Sequence, residues 1–172
     1  MQAKVRFIFI ILSLILGLNS CFKKETYPSV PVVEFNDFIL YGQHDSATFI
    51  LNFTDGEGDI GLLESDTLAP YNKDGENYNN LFLYYFEKDD SLGWVPGKVN
   101  GVPIVFSFRV DPVLPYDKSK GIKGTITYAF GKVQFYNPFS ANADTIKYQF
   151  QLVDRALNYS NLGETDPIYI TF

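Results

Sequence analysis

Beyond residue 31 the apolar side chains of this chain do not recur at helical spacing over any useful window. They fall in short runs rich in Phe, Tyr, Val, Ile and Thr, bounded by Gly, Pro, Asn and Asp, the pattern of β-strands closed by turns. The runs predict strands at 32–41 (VVEFNDFILY), 46–53 (SATFILNF), 81–88 (LFLYYFEK), 103–110 (PIVFSFRV), 122–130 (IKGTITYAF), 144–153 (DTIKYQFQLV) and 167–172 (PIYITF). Alternation is clearest in the sixth. Ile146, Tyr148, Phe150 and Leu152 share one face, and Lys147, Gln149 and Gln151 share the other, as in an antiparallel strand that buries one side. Both faces of the third run are apolar or aromatic, which fits a central strand covered on both sides, or one that presents an aromatic platform. Short strands without a long helix predict an all-β fold of two packed antiparallel sheets.

Residues 1–20 follow another pattern. Lys4 and Arg6 precede the apolar stretch Phe7–Leu18, which is shorter than the ~20 residues that cross a bilayer and has the layout of a secretory signal. Residues 21–31 contain Pro28 and Pro31 and no periodicity, and predict an extended tether ahead of a domain at 32–172. The site Leu18-Asn19-Ser20-Cys21 resembles the lipobox of bacterial lipoproteins. That resemblance implies that Cys21 is acylated and becomes the N-terminus, fixing the protein to a membrane through its lipid, since two or more acyl chains give a stable anchor. It also implies a Gram-negative envelope, and Phe22 after the cysteine fits outer-membrane sorting. Lys23-Lys24-Glu25 resembles the charged stretches that direct some lipoproteins to the cell surface, and reads equally well as a solvated tether, so the periplasmic and surface faces both stay open.

Composition narrows the function classes. The chain has 172 residues, 46% of them hydrophobic and 17% aromatic, enough to bury a real core and to exclude wholesale disorder. A single Cys and a single His leave no internal disulfide and none of the usual zinc constellations. A net charge of −6 argues against an electrostatic nucleic-acid binder. There is no Gly-x-Ser-x-Gly elbow and no phosphate-binding glycine loop, and His44 stands in the turn YGQHDSA, where a lone imidazole reads as inert. The expectation is therefore a non-catalytic binding or assembly module. A glycan-binding surface protein is the second reading. A carboxylate-dependent hydrolase, which needs two carboxylates facing each other across a cleft, is the third. The segment 151–172 (QLVDRALNYSNLGETDPIYITF) resembles the last hairpin of immunoglobulin-like and fibronectin-like domains, which implies a sandwich of about seven strands.

Residues 54–80 form a long segment with no strand pattern, and such loops tend to be functional or disordered. It opens Asp55-Gly56-Glu57-Gly58-Asp59-Ile60-Gly61. Carboxylates at alternate positions, separated by glycine, can curl round one hard cation, and Ca²⁺ takes six to eight oxygens at about 2.3–2.6 Å. Asp55, Glu57, Asp59 and Asp66 are the candidate ligands. The competing reading is an acidic turn whose Asp side chains cap backbone amides, with Ile60, Leu62 and Leu63 as ordinary core. Asn72, Asp74, Glu76 and Asn77 read as a hydrated turn that could complete a cation site. Asp154 is read as a turn acceptor, with an added oxygen ligand as the alternative. The opening resembles an EF-hand loop, except that Ile60 stands where that loop has glycine and Asp66 where it ends in glutamate, and no helix flanks it. It is closer to the Asp-Gly-Asp-Gly-Asp-Ile-Gly signature of secreted β-sandwich lipoproteins, with Glu57 replacing an aspartate; that resemblance implies no chemistry of its own.

Tyr84, Trp94, Phe135 and Tyr136, accompanied by Tyr85, Phe86 and Phe139, are the aromatics expected to serve a ligand, because Tyr and Trp join large area to a polar tip.

Overall fold

The computed structural model describes residues 26–42, 45–113, 115 and 120–170. The predicted signal at 1–20, Cys21, the first half of the tether and His44 lie outside the described residues.

In chain order the strands are β1 (Val32–Tyr41), β2 (Ser46–Asp55), β3 (Leu81–Asp89), β4 (Gly93–Pro96), β5 (Lys98–Val99), β6 (Val102–Pro103), β7 (Val105–Phe108), β8 (Ile122–Gly131), β9 (Thr145–Leu152), β10 (Gly163–Glu164) and β11 (Ile168–Tyr169). A single helical turn, Lys132–Phe135, follows β8. All pairings are antiparallel. One sheet has the order β1-β2-β8. The other runs β10-β9-β3-β4, with β11 also on β9 and β7 also on β3, while β5 and β6 form a separate two-stranded ribbon. The two larger sheets pack as an all-β sandwich. Among the described residues no helix is long and apolar enough to cross a membrane.

Each predicted strand has a counterpart, the last reduced to Ile168–Tyr169 with residues 171–172 outside the described residues, and three larger differences stand out. The run 103–110 breaks at Ile104. Pro103 ends the small ribbon, and Val105–Phe108 pairs with Tyr84–Leu81 on β3. Gly93–Pro96, outside every expected strand, pairs with Phe86–Asp89, so β4 and β7 share one edge of β3 end to end. Strand β2 runs on to Asp55, two residues past its expected end, because β8 stays in register with it from Ser46 opposite Gly131 to Asp55 opposite Ile122.

The core is the sum of the inward rows. β2 gives Ala47, Phe49, Leu51 and Phe53, β3 gives Leu81, Leu83 and Tyr85, and β9 gives Ile146, Tyr148, Phe150 and Leu152, all at most 3% exposed. Tyr148 joins the two sheets. Its ring centroid lies 5.8 Å from Phe38, 5.9 Å from Phe130 and 5.8 Å from Tyr85, near the edge-to-face and offset distances at which aromatic pairs add to plain burial. The inward period of two does not stop with the apolar residues. Phe53 is followed two places on by Asp55, and Leu152 by Asp154, so each sheet ends an inward row with an aspartate at the same pole. Both are buried, at 0% and 1% exposure.

The tether meets the domain at this pole. Gly56 N–H donates to Pro28 O at 2.7 Å and Pro31 is buried, so the fold takes in the last residues of the segment expected to be a free spacer.

Candidate functional site

At that pole the carboxylates of Asp55, Asp59 and Asp154 each offer an oxygen within 4.8 Å of the others. Three segments deliver them: the end of β2, the turn after it, and the connection after β9. Asp55 organises the turn. Its Oδ2 accepts N–H bonds from Gly58 at 2.5 Å and from Asp59 at 3.0 Å, which folds residues 56–59 back over the strand end. Asp154 is held from the other side. Asn158 N–H donates to its Oδ1 at 2.8 Å and the Asn158 amide to its Oδ2 at 2.9 Å. Arg155 N–H donates to Asp59 O at 3.2 Å, stitching the two segments together. Two oxygens are left over. Asp55 Oδ1 and Asp59 Oδ1 are buried and accept no hydrogen bond from the described residues.

The expected ligand set is therefore corrected in two members. Glu57 is exposed; the turn that aims Gly58 N–H and Asp59 N–H at Asp55 leaves its side chain outside, and its backbone oxygen accepts Lys120 N–H at 3.1 Å. Asp66 sits apart and closes its own turn, accepting Leu63 N–H at 2.9 Å. Asp154, read mainly as a turn acceptor, fills that role and joins the cluster as well.

Burial pushes the Asp55 carboxyl up to about 6 from an ordinary 3.8, against the pull of its two backbone N–H bonds, and the charges of Asp59 and Asp154 push it further. Burial likewise raises Asp154, against the bonds from Asn158. A carboxyl whose pKa is raised by folding stabilises the fold fully below its unfolded pKa and loses that contribution as pH rises through the folded value. Ion-free protein should thus lose stability at this pole between pH 4 and pH 7. The Asp55 shift corresponds to at most about 3 kcal/mol, and to about 1–2 kcal/mol after discounting for screening by water. Urea midpoints in chelator at pH 4.5 and 7.5 should show this loss in the wild type and a smaller one in Asp55→Asn. Equal pH dependence in the two proteins would refute it.

The rest of the 54–80 segment is held by Arg109. Its guanidinium donates to Leu63 O at 2.7 Å, Asp66 O at 3.2 Å and Tyr71 O at 3.4 Å, and it lies 4.9 Å from the centroid of the Tyr78 ring. Asn72 and Asp74 line the broad hollow beside it rather than the acidic pole, and Asn77 is buried against Tyr159.

The expected aromatic set divides three ways. Tyr84 and Trp94 are half-buried on the outer face of the second sheet. There register places Tyr84 opposite Gln149, Phe86 opposite Lys147 and Trp94 opposite Lys88. Lys147 Nζ lies 4.8 Å from the Trp94 centroid and 2.7 Å from Glu164 Oε1. A hollow of about 310 Å³ opens on this face between Tyr84, Phe86, Pro96, Pro103, Gln149 and Leu162. Tyr136 lines a separate apolar hollow of about 290 Å³ with Val99, Val133 and Phe139. Phe135 is a correction. It is wholly buried, because the helical turn after β8 points it inward to within 6.2 Å of Phe38, so it serves the core and no ligand.

No protein-family model matches this chain, and no curated protein matches it either.

Proposed function

We propose that this chain is a lipid-anchored, non-catalytic β-sandwich of a Gram-negative outer membrane, and that it binds a protein partner with the outer face of its six-stranded sheet. We read its connectivity as immunoglobulin-like, supported by the orders β1-β2-β8 and β10-β9-β3-β4. The observation that carries the binding role is the contrast between the two outer faces. On the first sheet the β8 part of that face is small and polar, with Lys123, Thr125, Thr127 and Ala129 all exposed and Thr125 and Asn36 bonded to Asn52, and the larger apolar side chains beside it are Ile39, Tyr41 and Ile50. On the second it carries Phe82, Tyr84, Phe86 and Trp94, with Tyr84 and Phe86 lining an apolar hollow, the residue types that dominate binding energy at interfaces. Two of the converging carboxylates at the pole, Asp55 and Asp154, are buried, and the three lie closer together than the ~5–9.5 Å that flanks a glycosidic bond, which favours a structural role over hydrolysis.

A photo-crosslinker at Tyr84 in whole cells should give one discrete adduct, and one at Thr127 none. Trp94→Ala should weaken the isolated complex by about tenfold or more, the loss expected of an interfacial tryptophan. Identical adducts from both positions would defeat this reading. Gln149 and Gln151, set beside Tyr84 in the same hollow, favour a saccharide as the second reading. Soluble oligosaccharides would then perturb Trp94 fluorescence, and Tyr84→Ala would abolish the change. Mass spectrometry of native protein tests the anchor: Cys21 should carry acyl chains, and a free thiol on a chain still bearing Met1 would overturn it.

A further inference from the structure

We propose that Asp55, Asp59 and Asp154 bind one Ca²⁺ ion that clamps the two sheets together at the pole where the tether joins the domain.

The argument rests on unmet oxygens rather than on acidity. The fold buries another carboxylate, Glu87, at 4% exposure, and supplies both of its oxygens with donors: the Asn137 amide at 3.0 Å on Oε1 and Ser140 Oγ at 2.5 Å on Oε2. At the acidic pole the supply stops halfway. Asp55 is wholly buried and its Oδ2 takes two N–H bonds, yet among the described residues its Oδ1 has no donor, and neither has Asp59 Oδ1. A buried carboxylate oxygen without a donor is costly, and two beside a third carboxylate repel as well. A cation placed among them answers every orphan at once.

The donors select the ion. All are carboxylate oxygens, with no imidazole or thiolate, so hard cations are preferred over Zn²⁺ or Cu²⁺. Oxygens within 4.8 Å of one another can be spanned by Ca–O bonds of about 2.4 Å, whereas Mg²⁺ demands near-ideal octahedral geometry at about 2.1 Å and keeps most of its water. The three ligands come from the end of β2, the turn after it and the segment after β9. The ion would therefore tie the first sheet to the second, one residue away from the Gly56–Pro28 bond that fixes the tether.

The test uses the native protein in detergent, stripped with EGTA. Calorimetric titration with CaCl₂ should give one site per chain. Ca²⁺ at a hundredfold excess over its Kd should raise Tm by about 5–10 °C, and MgCl₂ at the same concentration by much less. Asp59→Asn and Asp154→Asn should lose the heat of binding and the Ca²⁺-dependent rise. In EGTA Asp59→Asn, which gives up no hydrogen bond at Oδ1, should melt no lower than the wild type, which separates loss of a ligand from failure to fold. A wild-type Tm indifferent to EGTA and Ca²⁺, stoichiometric binding retained by Asp59→Asn, or an equal response to Mg²⁺ would each overturn the proposal. Photo-crosslinking from Tyr84 does not report on this pole, so the partner reading stands or falls separately.

Discussion

Gly61→Ala should cost about 3–5 kcal/mol, a large share of the roughly 5–15 kcal/mol that holds an ordinary domain together. Two effects add. Gly61 has φ +98°, a conformation that strains any side-chain-bearing residue by about 1–3 kcal/mol. A Cβ there would also stand 2.3 Å from Asp111 O and 2.5 Å from Pro112 Cα, and backbone on that side cannot swing away as a side chain would. The contact exists because residues 60–62 lie along 110–113, with Leu62 N–H donating to Val110 O at 2.9 Å, and this pairing seats Ile60 and Leu62 in the core at 1% exposure each. Forcing the two segments apart withdraws both side chains and disturbs Asp59 next door. Gly93→Ala is the control. Gly93 has φ +78° but nothing within 4 Å of the added carbon, so it should pay only the backbone strain, about 1 kcal/mol. Urea midpoints for the two variants decide the matter: equal losses would mean that the 60–62 segment is not packed against 110–113.

The same residues show what a sequence reading reaches and where it stops. The strands were legible because alternation is local, and Ile146, Tyr148, Phe150 and Leu152 needed no partner to declare their face. The acidic turn stood out because Asp-Gly-x-Gly-Asp is rare chemistry at close spacing. Its third member was harder to see. Asp154 lies about a hundred residues away, and only the packing of the two sheets brings it to Asp55. One signal was present, since continuing the period of two past Phe53 and past Leu152 lands on an aspartate each time. Stopping the strand at Phe53 hid it. Spacing within the turn favoured Glu57 instead, but a carboxylate at the right interval still points outward when the turn's N–H groups fold toward Asp55. Phe135 misled for a related reason. It stands in a stretch rich in loop-forming residues, and a single helical turn, too short to show periodicity, rotates it into the core. Arg109, which orders the long segment through carbonyls of residues 63, 66 and 71, makes contacts that no local pattern encodes.

A buried polar joint at the start of β3 was also hidden. Asn80→Ala is expected to cost about 3–4 kcal/mol. Asn80 is 1% exposed at the threshold of β3, where all four of its hydrogen-bonding groups are in use. Its N–H donates to Phe108 O at 3.0 Å, its O accepts Val153 N–H at 2.8 Å, its Oδ1 accepts Val110 N–H at 2.7 Å and its Nδ2 donates to Val153 O at 3.3 Å. One residue thus pins the ends of β7 and β9 on either side of β3. Alanine keeps the two backbone bonds and removes the two side-chain ones. It leaves Val110 N–H without its partner and Val153 O with one bond fewer, in surroundings where Val110 is 6% exposed and Val153 not at all. An orphaned buried group costs about 1–3 kcal/mol, and the vacated amide leaves a gap besides. Asn79→Ala removes an exposed amide bonded only to Ser107 Oγ at 2.8 Å, and should cost about 0.5 kcal/mol. Hydrogen exchange localises the effect. Val110 N–H should lose protection in Asn80→Ala well beyond the global change in stability, while Leu51 N–H, in the centre of the opposite sheet, should follow the global change alone. Uniform loss at both sites would show that Asn80 acts only by filling space, and a cost below about 1 kcal/mol would show that the side-chain bonds do not hold the strand ends.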